Sequence, residues 1–212
     1  SDECLKETKT FPDPDPSPPP TRIYTAERKP GLPDLSPLVR AATAAIPVAT
    51  ESDPDLKGHG LQLCAVRYER RYPRPDRPAS TAYEAIYRDN KLSGCNATGI
   101  EIEVKGDVAD FKSQKGQPLW SCAINSQPTV PDDALEQIAL GAFRSFWPEI
   151  DGSLLSIDGI ICCDPFAGRY VVTLRLTSPT GGKPTAKPDR LIEMRVTTDG
   201  TVAEKEVQWN SP

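Results

Sequence analysis

The sequence predicts an α+β protein of two units, each a helix followed by an antiparallel meander, stabilised by disulfides. Three observations carry this reading. In both halves of the 212-residue chain a helical apolar stripe precedes runs that alternate apolar and polar residues. Six cysteines form an even set scattered over nearly the whole length. Prolines crowd the beginning, so packed structure is expected only from about residue 36 onward.

Residues 1–35 read as a Pro-rich extended arm. From Phe11 to Pro20 prolines remove backbone donors and fix φ, which favours polyproline II, and Pro30 and Pro33 continue that character. Ser36 and Pro37 then suit the cap and first turn of a helix whose Leu38, Val39, Ala42, Ala45 and Ile46 share a face, and Pro47 is expected to end it. A polar loop holding Gly58-His59-Gly60 leads to a strand from Leu61 to Tyr72. A Pro and Arg loop from Pro73 to Pro78 precedes a strand from Ala82 to Arg88, and Asp89-Asn90 turns the chain. Gly99 to Lys105 alternates Ile100, Ile102 and Val104 against Glu101, Glu103 and Lys105, so one face is wet. These elements make an N-terminal α+β unit over 36–127.

The C-terminal unit, 128–212, opens with a helix from about Pro131 to Trp147, whose Leu135, Ile138, Ala139, Ala142, Phe143 and Phe146 form one stripe. Strands follow at Leu154 to Cys163, Arg169 to Thr177 and Leu191 to Thr197. Asp199-Gly200 joins the last to a fourth at Thr201 to Trp209 as a type I′ hairpin turn, whose central positions need positive φ. Duplication or reuse of a common layout would produce this repeat, and the weak identity between the halves favours the second. The stretch from Thr129 to Trp209 is similar in outline to cystatin-like folds, in which a four-stranded sheet wraps a helix. The likeness is one of topology. The inhibitory Gln-x-Val-x-Gly loop of cystatins is absent and Gln117-Pro118-Leu119-Trp120 is only faintly similar to their Pro-Trp loop, so the resemblance implies no inhibition of papain-like proteases.

Cys4, Cys64, Cys95, Cys122, Cys162 and Cys163 contain no C-x-x-C pair, and His59 is the one histidine, so a structural zinc site is not expected. Three disulfides are, and with them a secreted, extracellular protein. Cys162 and Cys163 are neighbours on a strand, point to opposite faces and should bridge to two different places. A start at Ser1-Asp2-Glu3, without Met or an apolar leader, fits a chain whose signal peptide was removed or whose start was trimmed. Asn96-Ala97-Thr98 fits a glycosylation acceptor. No run approaches the roughly twenty apolar residues of a membrane span. The net charge of −5 is spread through the chain and favours solubility rather than any one partner class.

Two places could carry chemistry. His59, between two glycines, has the accessibility that a general acid or base needs, although spacing assigns it no nucleophile. The segment Arg67 to Arg77 holds Arg67, Arg70, Arg71, Arg74 and Arg77 with Tyr68 and Tyr72, a cation patch in an acidic chain. Arginine forks and tyrosine faces suit an acidic protein partner, and also anionic polysaccharide or nucleic acid. Against this stands pairing with neighbouring carboxylates: Glu69 and Asp76 within the segment, Glu51, Asp53 and Asp55 before it. Arg70-Arg71 is also a dibasic site of the kind secretory proteases cut, which would make the preceding segment a propeptide. P-loop, dinucleotide and Gly-x-Ser-x-Gly motifs are absent, and no cofactor is expected. By composition the chain is similar to the small cysteine-containing proteins that fungi and other microbes secrete into hosts. The leading expectation is therefore a secreted, effector- or inhibitor-like binding protein without catalysis, with Arg67, Arg70, Arg71, Tyr72, Arg74 and Arg77 facing a protein partner. The alternative is a small secreted hydrolase, such as a nuclease, that uses His59 and the arginine patch to hold a phosphate.

Overall fold

The computed structural model describes residues 21–54, 56–89, 97–124, 133–164, 169–178 and 189–210. It is a mixed α+β protein with two helices and a large antiparallel sheet. Helix α1 (Ser36–Ser52) precedes strands β2 (Leu61–Arg71), β3 (Ser80–Asp89), β4 (Ala97–Lys105), β5 (Val108–Lys112) and β6 (Pro118–Ala123). Helix α2 (Ala134–Phe146) precedes β7 (Leu155–Asp164), β8 (Arg169–Leu176), β9 (Arg190–Val196), β10 (Thr201–Ala203) and β11 (Val207–Asn210). A short strand before α1, β1 (Ile23–Thr25), was not legible in the arm.

The two halves share one sheet. Nine strands run β11-β9-β8-β7-β2-β3-β4-β5-β6, and β2 joins β7 with Tyr68 opposite Cys162 and Arg71 opposite Gly159. Tyr68 and Cys162 are both buried, so the helices cover the same face on either side of this junction. Most buried positions of the helices correspond: Pro37, Leu38, Ala41, Ala42, Ala45 and Ala49 match Ala134, Leu135, Ile138, Ala139, Ala142 and Phe146, while buried Phe143 falls opposite the half-buried Ile46. Bulk is distributed oppositely. The alanine face of α1 faces a sheet that supplies Tyr83, Tyr87 and Phe111, with the Tyr87 hydroxyl donating to the Ala42 carbonyl at 2.8 Å. The C-terminal half instead combines Phe143 and Phe146 of α2 with aliphatic Val172, Leu174, Ile192 and Met194. Each arrangement fills the space between helix and sheet, as close packing requires.

Residues 21–31 lie on the C-terminal half. β1 pairs antiparallel with β10, Ile23 opposite Ala203 and Thr25 opposite Thr201. It stands to β10 as β6 stands to β5: the Ile124 amide bonds Asp107 O at 2.8 Å, and the Ala26 amide bonds Gly200 O at 3.0 Å.

Several expectations are corrected. Pro47 does not end α1, because it lies on the exposed side, where water can replace the lost amide bond while the apolar face continues to Ala49. Leu35, not Ser36, is the N-cap; Ser36 is the first helical residue and its amide is held by Asp34 Oδ1 at 3.0 Å. The Asp199-Gly200 hairpin is not a two-residue turn. Gly200, at φ 84, donates to Thr197 O and the Thr197 amide donates to Thr201 O, which makes a three-residue loop with a glycine bulge. The last strand breaks at a single 3₁₀ turn, Glu204–Glu206.

The three-disulfide framework is also corrected. Cys64 and Cys122 are free thiols, so six cysteines cannot form three bridges. Cys64 sits at the irregularity between Leu63 and Ala65 and turns to solvent, while Cys122 packs as a small apolar side chain against the core. No disulfide joins two described cysteines, and Cys162 is buried. Cys4, Cys95, Asn96, the Phe11 to Pro20 segment and the Cys163 side chain lie outside the described set. Among the described residues no helix is long and apolar enough to cross a membrane.

Candidate functional site

With both helices on one face, the opposite face of the sheet is open among the described residues. Alternation sends Arg67, Glu69 and Arg71 of β2, Glu84 of β3, and Glu101 and Glu103 of β4 toward it. Ser113 and Gln114, after β5, close one side, and the resulting cleft measures ≈ 700 Å³. Gly99 keeps its floor low, since a Cβ there would sit 3.1 Å from Glu84 Oε1. In the C-terminal half the same face is shut by Glu206, which holds Arg169 at 3.1 Å and Arg195 at 3.2 Å, leaving a recess of ≈ 60 Å³.

The cleft is laced with charge. The register lines up Arg67, Glu84, Glu101 and Lys112 across β2, β3, β4 and β5. Arg67 pairs with Glu84, Arg71 with Glu69 at 2.7 Å, and Glu103 with Lys112 and, at 3.4 Å, Lys105. The hydrogen bond from Lys112 holds the Glu103 carboxyl below its usual range, and the bond to Glu69 raises Arg71. Glu84 and Glu101 stand directly opposite each other, as do Glu103 and Asp110, an arrangement that costs stability when nothing cationic comes between.

The structure divides the arginine segment among three places. Arg67 and Arg71 line the cleft. Arg70 and Tyr72 lie on the helix side, Arg70 with its guanidinium 4.7 Å from the Tyr72 ring centre, and the Tyr72 hydroxyl donates to Glu136 of α2. Burial first, and then that bond, push the Tyr72 hydroxyl well above the usual phenol range. Arg74 and Arg77 both turn to Asp158 of β7, whose side chain is only 9% exposed; Arg77 also donates to the carbonyls of Tyr72 at 3.1 Å and Asp158 at 3.2 Å. The carboxylate partners of the segment's arginines are thus Glu69, Glu84 and Asp158. Glu69 was among those the sequence suggested; Glu84 and Asp158 were not. Glu84 was legible only as the wet side of β3, and Asp158 as a charge inside an apolar run.

Arg70-Arg71 lies in a strand bonded on both sides, with Thr81 and Ser80 of β3 on one flank and Ile160 and Gly159 of β7 on the other. Cleavage there would require extracting the central strand, which the propeptide reading has to accommodate.

His59 does find a carboxylate. Its Nδ1 contacts Oδ2 of Asp89, which is 2% exposed, while the imidazole remains partly open to solvent. A buried carboxylate on Nδ1 fixes the ring and leaves Nε2 outward, the orientation a general base requires. Among the described residues no group of three or more His, Cys, Asp or Glu is arranged to hold a metal ion. Compared with known proteins, the chain matches no family model, no curated protein and no solved structure.

Proposed function

We propose that this chain is a secreted, extracellular binding protein without catalysis, effector- or inhibitor-like, that receives a protein partner on the open face of the N-terminal half of the sheet. The observation that supports it is the cleft of ≈ 700 Å³ on a sheet stiffened from behind by α1. A rigid sheet presents fixed charges at little ordering cost, which favours recognition. The lining carries Glu69, Glu84, Glu101 and Glu103 against Arg67 and Arg71, so the fitting partner brings a lysine or arginine to lie between Glu84 and Glu101. Internal pairing of Arg67, Arg71, Arg74 and Arg77 disfavours phosphate or sulfate as the main ligand. The cystatin-like outline of 128–212 belongs to this proposal, supported by α2 lying on the β7-β8-β9-β11 part of the sheet. Stabilisation by disulfides belongs to it as well, through cysteines other than the free Cys64 and Cys122.

The test is a binding screen of the immobilised chain against extracellular proteins, repeated with Glu84→Lys/Glu101→Lys. A genuine partner loses at least tenfold in affinity on charge reversal, and its wild-type binding weakens with salt. A partner whose affinity is unchanged by the reversal would remove the cleft from consideration.

One observation favours a second reading, the small secreted hydrolase. His59 held by buried Asp89 has the form of an oriented base. Turnover of RNA, DNA or phosphodiester substrates by the wild type, lost in His59→Ala and reduced in Asp89→Asn, would support it; equal rates in wild type and His59→Ala would end it.

A further inference from the structure

The hold on β1 is built, local and separable from the rest of the fold. Arg22 makes a two-point pair with Glu204, Nε to Oε2 at 2.9 Å and Nη2 to Oε1 at 2.6 Å, and its Nη1 donates to the Phe146 carbonyl at 2.6 Å. The Glu204 amide returns a bond to Arg22 O at 2.9 Å. Tyr24 lies on α2 where Gly141 offers no side chain; a Cβ there would be 2.5 Å from the Tyr24 hydroxyl. Glycine inside a helix is less favourable than alanine, so this slot has a stability cost that the tyrosine contact offsets. The chain then wraps the Gly200 turn, where Pro30 is buried, and the Tyr170 hydroxyl contacts Gly31 O.

Every one of these contacts is with the C-terminal half, while the next element, α1, packs on the N-terminal half. The link between them is Leu32 to Leu35, in which Leu32 is 67% exposed and Pro33 restricts the backbone. β6, the strand that occupies the equivalent place on β5, is tied to its partner by a tight turn in which Ser113 N bonds Gln117 O at 2.9 Å. β1 has no such tether to β10. Its ion pair is exposed, and water and salt screen exposed pairs so that they hold a segment only weakly.

From this geometry we propose that residues 21–31 exchange between two copies of this chain, each β1 seating on the other's β10, with Leu32 to Leu35 as the hinge. The occupant is a second copy because the seat is specific for this segment: a carboxylate for Arg22, a bare helical glycine under Tyr24, and a strand edge in register with Ile23 to Thr25. Exchange remakes every contact of the closed form and adds none, so concentration sets the balance between monomer and dimer. Opening a weakly held terminal segment is the step that permits it.

Thr25 and Thr201 are register partners, which supplies the test. A tagged Thr25→Cys chain and an untagged Thr201→Cys chain are mixed at high concentration, oxidised and run without reductant. A parallel sample is unfolded and refolded as a mixture, so that slow exchange is not read as none. Each single variant alone controls for the native cysteines, and circular dichroism verifies folding. Exchange yields a tagged-to-untagged heterodimer that rises with concentration and is absent from both controls. The double variant Thr25→Cys/Thr201→Cys giving only an intramolecular crosslink, with no heterodimer from the refolded mixture, would overturn the proposal. So would failure of both crosslinks in folded protein.

Discussion

Arg74→Glu places a carboxylate against Asp158, at the point where the segment after β2 is fastened to β7. Asp158 Oδ1 receives Arg74 Nε and, at 3.4 Å, Arg77 Nη2, and the arginine side chains are 23% and 28% exposed. The pair is therefore largely shielded, yet short of the full burial for which breaking a pair costs 3–5 kcal/mol. Losing a hydrogen bond to a charged group costs about 1.5–3 kcal/mol, and repulsion from the new carboxylate adds to it while Arg77 offsets part. The expected loss is about 2–4 kcal/mol, or roughly 4–16 °C in Tm for a chain of this size. Arg71→Glu, in the same segment but with a side chain 52% exposed and paired to Glu69, should cost no more than about 1 kcal/mol. Urea unfolding of both variants and of Asp158→Asn, with the Arg74→Glu/Asp158→Asn double variant closing the cycle, measures the coupling. A coupling energy near zero, or an Arg74→Glu cost no larger than that of Arg71→Glu, would refute the reasoning and free Arg74 for a partner.

Three further outcomes follow from the same structure. In the native protein Cys64 should react at once with a thiol reagent, while Cys122, whose thiol is pushed up by burial, should lag and speed up only as pH rises; complete inertness of both would contradict the free thiols. Burial raises Tyr68 to about 12 and also lifts Tyr83 and Tyr87, so their protonated forms add stability that is whole below pH of about 10, the unfolded pKa, and is lost as pH climbs through the folded values; phenolate absorbance that completes near pH 10 without unfolding would disprove this. Gly141→Ala should lose about 1 kcal/mol in the wild type because it meets Tyr24, but gain about as much in a Tyr24→Ala background, where helix propensity alone acts; thermal melts showing the same sign in both would deny the slot.

What could be read from sequence followed the strength of local periodicity. The stripe of α2 and the alternation of β4 were legible because one face of each is buried and the other wet, and period reports that directly. β5 and β6 were missed: Val108–Lys112 is five residues, and Pro118–Ala123 starts with a proline and sits at a sheet edge. β1 was hidden for a different reason. Ile23–Thr25 has no pattern of its own, and its partner lies at the other end of the chain. The arginine segment was visible as a cluster, but alternation along β2 sends Arg67 and Arg71 one way and Arg70 the other, and the partners Glu84 and Asp158 come from other strands. Charge density along a sequence does not separate faces; register does. The cysteines misled because an even count is silent about which thiols are brought within reach.

The placement of β1 has a consequence for synthesis. Arg22 and Glu204 are separated by 182 positions, so during synthesis β1 has no seat until the chain has been made as far as Glu204. Helix α1 and strands β2 to β6 can assemble in the meantime, since apart from the pairing of β2 with β7 their main contacts are among themselves, but β2 must then wait with one edge bare for β7. During that interval the nascent protein exposes a central strand rich in arginine rather than a purely apolar one. Charge on an unpaired edge is a known deterrent to strand-to-strand association, and the arginines of β2 would act as such a guard before they become part of the finished fold.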